Sequence, residues 1–171
     1  MAPEEAAAAG ARERDKVICL IDVNLLFAIH QPAHEDFEPA TRWFTGTGIR
    51  SFATCPITQA GLLRLLTQGV PNAQVFRLQE AREALAHLTS LPGHSYWQDK
   101  QDFITATGKF YTRLQGHRQI TDAYLLGLAI HNRGKLATLD RGILQLAGID
   151  FAGHVELIGS ANKRASRSRT S

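Results

Sequence analysis

Three aspartates stand out by where they fall. Asp22 closes the run CLID, Asp140 closes LATLD, and Asp122 follows Thr121 at the head of DAYLLGLAIH. An ionised carboxylate only accepts hydrogen bonds, and its oxygens bind hard cations. Gathered in one place, carboxylates repel: unit charges ~4 Å apart cost about 4 kcal/mol at an effective dielectric near 20. A fold keeps such a group when a cation fills it or when one acid holds a proton. An oxygen-only set with open positions suits Mg2+ or Mn2+. Each acid also has a plain structural role open to it. Asp22 could cap a helix beginning near Asn24. Asp122 could favour a helix dipole. Asp140 could be a turn acid before Arg141 and Gly142.

The elements that must position these acids follow from hydrophobic patterning. KVICLID is a short continuous apolar run, the pattern of a strand buried on both faces. A helical stretch follows through Leu25, Leu26, Phe27 and Ile29, ending near His30 and Pro32, and 38–44 reads as a second helix. IRSFA (49–53) is a second strand. Pro56 opens an amphipathic helix whose apolar face is Ile57, Leu62, Leu63, Leu65 and Leu66, with Gly69 as its stop. Another helix covers 79–88. Residues 92–103 (PGHSYWQDKQDF) read as a loop leading into a short helix. Thr121 is expected to cap the nearly all-apolar helix DAYLLGLAIHNRG, with Gly134 as its C-terminal cap. LATL (136–139) is a third strand, 141–147 a short helix and 155–158 a last strand. Alternating strands and helices predict an α/β fold of three layers, α/β/α, around a mostly parallel central sheet with right-handed crossovers. In such sheets the functional crevice lies outside the carboxyl ends of the strands. All three aspartates fall on that predicted rim.

The chain has 171 residues, 44% hydrophobic and 20% charged. That is one domain of ordinary globular composition, with enough surface to bury for a core without disulfides. The formal charge of +3 resides largely in the ends. With both tails set aside, the body carries a net of +1, so bulk charge does not make it a nucleic-acid binder. Residues 1–15 are expected to be a flexible tail. Residues 160–171, with Lys163, Arg164, Arg167 and Arg169 and no acid, are expected to be a basic disordered tail. The single domain then spans 16–159. Cys19 and Cys55 lack zinc-ligand spacing, and Cys19 reads as a small buried hydrophobe. No apolar run approaches the ~18–20 residues of a membrane span. The opening MAPEEAAAAGARERDK lacks the positive start and apolar core of a secretion signal. A cytoplasmic location follows as the expectation.

At these residues the chain resembles PIN-domain ribonucleases, specifically the toxin subunits of VapBC toxin–antitoxin pairs. The matching segments are IDVNLLFA around Asp22 and Asn24, FATCPITQAGLLRLL, HRQITDAYLLGLA around Asp122, and KLATLDRGI around Asp140. They come in the family's order and cover roughly 17–158. The resemblance implies a PIN-like α/β/α fold and an endoribonuclease that uses Mg2+, or Mn2+, held by an acidic cluster. It implies Asp22 and Asp122 as the best metal ligands, with Asp140 completing the cluster or positioning water. Asn24 would hydrogen-bond a ligating carboxylate or a bound water, and the Thr138 hydroxyl would orient Asp140. It also implies an RNA substrate, a cognate antitoxin protein over the acidic groove, and a homodimer. Where the family usually carries a glutamate early in the helix after the second strand, this chain has Gln59. An amide can ligate or accept a hydrogen bond, but it carries no charge and is no general base. A Gln59→Glu variant unchanged in Mg2+ affinity and in cleavage would remove the position from the site.

Other readings compete. A PIN-like protein weakened by Gln59 would bind RNA or antitoxin without efficient cutting. An Asp at the end of a first strand also resembles haloacid-dehalogenase phosphatases, but their second Asp, two residues on, is Asn24 here and cannot donate a carboxyl proton. A phosphorylated receiver domain lacks a well-placed lysine, and a covalent adduct from acetyl phosphate would favour either. His117, Arg118 and Arg141 are candidate phosphate contacts. His94, Tyr96 and Trp97 are candidate base-stacking residues, with satellite core as their plain alternative, and Trp43 reads as packing.

Overall fold

The computed structural model describes residues 17–69 and 71–159. The two tail expectations, 1–15 and 160–171, lie outside the described residues. The chain runs β1 (Cys19–Ile21), α1 (Val23–Ile29), α2 (Phe37–Gly46), β2 (Phe52–Thr54), α3 (Pro56–Thr67), α4 (Leu78–Ser90), β3 (His94–Tyr96), α5 (Phe103–Thr107), α6 (Ile120–His131), β4 (Lys135–Thr138), α7 (Gly142–Phe151) and β5 (Val155–Leu157). Every strand pairing is parallel, in the order β3-β2-β1-β4-β5. Sequence patterning anticipates the three layers and the parallel sheet, and both are present.

Strand alternation sorts the core into two halves. Leu20, Ala53 and Leu136 face α6 and α7, where Leu125, Leu128, Ile143 and Leu146 close over them. Ile21, Phe52 and Ala137 face the other way, onto Leu25, Leu26, Leu62, Leu66 and Leu88 of α1, α3 and α4. Trp43 packs against this second half, as expected of it. Helix α6 is buried along its whole middle, Ala123 to Ala129. Gly127 is needed there, because a Cβ would collide with the Ala106 carbonyl.

Local boundaries differ from the sequence reading at several places. The stretch read as a loop at 92–103 contains β3, which pairs Phe52 with His94 and Thr54 with Tyr96. It is a three-residue edge strand with polar side chains, so it shows neither an apolar run nor a clear alternation. The second strand starts at Phe52 because Gly48–Arg50 forms a 3-10 turn first. Thr121 lies inside α6, whose cap is Gln119, so it does not cap the helix. At the other end, α6 stops at His131 and the left-handed residue is Arg133 (φ 55°). Gly134 serves close packing instead: a Cβ would strike the Ile18 carbonyl and the Trp97 ring. Likewise α3 ends at Thr67, short of Gly69.

Helix α7 is two pieces joined at Gly148 (φ 60°, ψ −168°). Arg113 bridges the break. Its Nη1 donates to the Ala147 carbonyl at 2.8 Å and its Nη2 to Asp150 at 2.8 Å. A Cβ at Gly148 would lie 2.9 Å from the guanidinium carbon. Loss of these charge-assisted bonds in Arg113→Ala is expected to cost about 1–2 kcal/mol, read by urea denaturation. An unchanged midpoint would show the clamp to be idle.

Candidate metal-dependent active site

The rim is built where β1 and β4, neighbours in the sheet, both end. Asp22 leaves β1 in an extended conformation (φ −63°, ψ 152°) and caps α1. Its Oδ1 accepts the Val23 N–H at 2.6 Å, and the Asn24 backbone N–H also bonds the carboxylate. Its Oδ2 accepts the Thr138 hydroxyl at 2.9 Å. Asp22 is buried, 4% exposed. Burial pushes its carboxyl above the usual range, the Thr138 and Val23 hydrogen bonds oppose this, and the charge of Asp140 adds to it. The capping role and the site role are thus filled by the same side chain, one oxygen to each.

Thr138, fully buried at the end of β4, joins two of the acids. Its hydroxyl donates to Asp22 and accepts the Asp140 backbone N–H at 3.1 Å. The expected link to Asp140 therefore runs through Asp140's backbone, while the hydroxyl proton serves Asp22. Asp140 itself is exposed, and its Oδ1 accepts the Gly142 N–H at 2.7 Å, fixing the carboxylate at the start of α7.

Asp122 comes from a third direction, in the first turn of α6. It is half-buried, and its carboxyl is pushed up to about 7 by burial and then by the charges of Asp22 and Asp140. The fold thus brings three acids separated by up to 118 positions into mutual electrostatic reach. Among the described residues no three of His, Cys, Asp or Glu close around one point as a ready-made chelate. Mg2+ does not require such a closed set, since it keeps several waters and is typically held by one or two carboxylates together with substrate phosphate. The excess negative charge, met in this state by a raised carboxyl pKa, is what a divalent cation would neutralise.

Asn24 is exposed in the first turn of α1 and supports Asp22 through its backbone N–H. Gln59 lies in the first turn of α3, and its Nε2 donates to the Thr54 hydroxyl at 2.9 Å. That hydroxyl also meets His94 Nε2 at 2.8 Å. Burial lowers the His94 pKa, and with the Gln59 amide already donating to it, the Thr54 hydroxyl donates its hydrogen bond to the neutral ring at Nε2. Gln59 makes no hydrogen bond to any of the three aspartates among the described residues. The Thr54 tether was not foreseen: a threonine at a strand end carries no distinguishing sequence signal. A cleft of about 370 Å3 is lined by Val23, Ile57, Ala60, Gly61, Arg64 and Thr121, of which Val23 and Thr121 adjoin Asp22 and Asp122 in the chain. Gly61 admits the close crossing of α3 and α1, since a Cβ would lie 2.7 Å from a Val23 methyl. Of the lesser candidates, His117 and Arg118 are exposed in the turn before α6, and Trp97 is buried.

The PIN domain family model matches residues 19–149. The chain is a member of the PIN-domain family. Its relatives include Ribonuclease VapC39 of Mycobacterium tuberculosis (strain CDC 1551 / Oshkosh), 35% identical over 143 residues, 81% of this chain and 98% of that protein. Ribonuclease VapC29 of the same strain is 36% identical, covering 75% of this chain and 90% of that protein. Ribonuclease VapC44, also of that strain, is 35% identical over 72% and 87%. The family resemblance carried by the four sequence segments therefore holds over most of the chain, and this is a VapC-type PIN domain. Among the described residues, no helix is long and apolar enough to cross a membrane.

Proposed function

We propose that this PIN-domain protein is a Mg2+- or Mn2+-dependent endoribonuclease, the toxic member of a type II toxin–antitoxin pair acting in the cytoplasm. The observation that carries the reading is the Thr138 hydroxyl bridge between Asp22 and Asp140, with Asp122 raised to about 7 by burial and then by those same two carboxylates. Asp22 and Asp122 would hold the ion, and Asp140 would complete the set or orient water. A bound divalent ion supplies polarisation of a phosphoryl oxygen and a bound water of lowered pKa. Thr138 and the α1 backbone hold Asp22 in one orientation before any ligand arrives, so the oxygens need no reorganisation. A cation held there would favour the ionised form of Asp122, whose carboxyl is raised to about 7 by burial and by the two neighbouring acids. The cleft along Arg64 offers the scissile strand a path past the acids. A cognate antitoxin segment would cover the same groove, and a homodimer is the expected assembly.

A second reading keeps one observation behind it. The Gln59 amide adds no charge and is tied to Thr54, so a chain that binds RNA or antitoxin without efficient turnover is its natural outcome. Incubation of the purified protein with single-stranded RNA separates the two. Cleavage is expected with Mg2+ or Mn2+ and none with excess EDTA. RNA binding with no metal-dependent cutting selects the second reading. Expression in a bacterial host is expected to arrest growth, relieved by the small gene expected beside it.

A further inference from the structure

The side of α3 that carries Gln59 borders a second groove, of about 450 Å3, between α3, α4 and β3. Gln59, Leu63, Arg82, Leu85, His94 and Tyr96 line it. We propose that this groove is a base-specificity subsite that takes one unstacked purine of the RNA beside the cut. The proposal rests on the ribonuclease reading and adds to it where the neighbouring base goes.

Four observations point there. The groove opens on the functional rim: Tyr96 ends β3, two strands from β1, which is about 10 Å along the rim from Asp22 at ordinary strand spacing. Tyr96 is 51% exposed, an aromatic face at the mouth of a concavity with nothing stacked on it among the described residues. Arg82 forms no ion pair among the described residues, so its planar fork is free for a base edge; the O6/N7 edge of guanine is the match for such a fork. Finally, Thr54 holds Gln59 by Nε2, which leaves Oε1 as an acceptor in a fixed position for the base's own N–H groups. A floor of Leu63 and Leu85, an aromatic wall, a donor fork and a tethered acceptor are the elements of single-strand recognition. Trp97, the third aromatic of this segment, takes no part, because it is packed beneath Gly134. The departure at Gln59 then has a use of its own: an amide accepts from a base edge without bringing a fourth negative charge to the rim.

Two measurements on the full chain test this. In the first, metal-free protein is titrated with a single-stranded RNA dodecamer carrying one 2-aminopurine, followed by its fluorescence. Tyr96→Ala is expected to weaken binding about tenfold, the scale of one base–aromatic stack, and Tyr96→Phe to stay within about twofold. In the second, cut sites are mapped on a random RNA pool with Mg2+. Wild type is expected to show a purine preference next to the cut that Tyr96→Ala and Arg82→Ala flatten. Unfolding temperatures of the variants separate loss of contact from loss of fold. A Tyr96→Ala protein with wild-type affinity and a wild-type cut profile overturns the subsite. Wild type that fails to cut, with Tyr96→Ala still weakening the titration, overturns the ribonuclease reading and leaves the subsite standing.

Discussion

Asp22→Asn is expected to abolish metal-dependent cleavage, by about a hundredfold or more, while leaving the fold close to its original stability. The two effects separate because the side chain does two jobs with two oxygens. The amide carbonyl keeps an acceptor for the Val23 N–H, so the α1 cap survives. The amide N–H2 replaces Oδ2 opposite Thr138, whose oxygen can accept it, and only the hydroxyl proton loses its partner. That loss is of order 1 kcal/mol, and it is offset by removal of a carboxylate whose ionisation burial disfavours. What does not survive is the negative charge at the end of β1. Removing one preorganised electrostatic group from such a site typically lowers turnover by 10²–10³ or so. The assay is RNA cleavage with Mg2+ beside thermal unfolding of the same preparation. Full activity, from protein free of host nuclease, would end the metal-nuclease reading.

Asp122→Asn is expected to cost at least a hundredfold in cleavage and, at the same time, to stabilise the protein above neutral pH. The sign follows from proton counting. In the unfolded chain Asp122 titrates near 3.8, and in the folded chain near 7. Below the lower value both states hold the proton and folding bears no cost from this group. Between the two, the folded state binds more protons than the unfolded, so stability falls as pH rises, and above about 7 the loss is complete. Asn cannot titrate, so the variant lacks this decline. Asp22, also raised by burial, leaves a slope of the same sign in both proteins. Because a cation substitutes for the missing proton, Mg2+ is expected to raise the wild-type unfolding temperature more at pH 8 than at pH 5, and the variant's far less. Unfolding curves from pH 4 to 8, with and without Mg2+, read all of this. An Asp122→Asn protein that follows the wild-type pH curve and keeps the wild-type Mg2+ response would place Asp122 outside the cluster.

The alternative structural roles of the acids turned out to be compatible with the site. Asp22 is a cap, Asp140 bonds a turn N–H, and Asp122 sits in a helix's first turn. Local chemistry fixes the direction of two of these carboxylates, and the fold makes them neighbours. A sequence motif such as Thr-x-Asp is therefore legible without structure, but its wiring is not. Thr138 was expected to orient Asp140 through its hydroxyl; that hydroxyl meets Asp140 at the backbone N–H and gives its own proton to Asp22's carboxylate. Gln59 was legible as a departure, yet only the coordinates show its amide bound to Thr54 in a groove shared with His94 and Tyr96.

By itself the sequence determined the layer architecture, the parallel sheet and the strand ends at which Asp22 and Asp140 stand. Buried parallel strands and packed helices impose their periodicity on the chain, and that periodicity is local. It did not determine β3, because an edge strand half in solvent tolerates His-Ser-Tyr and owes its existence to pairing with β2. Nor did it determine that Asp122 would titrate near 7, or that one hydroxyl would join two acids 118 residues apart. Those depend on which chain segments end side by side, and proximity across the sheet is a property of strand order, which no window of sequence contains.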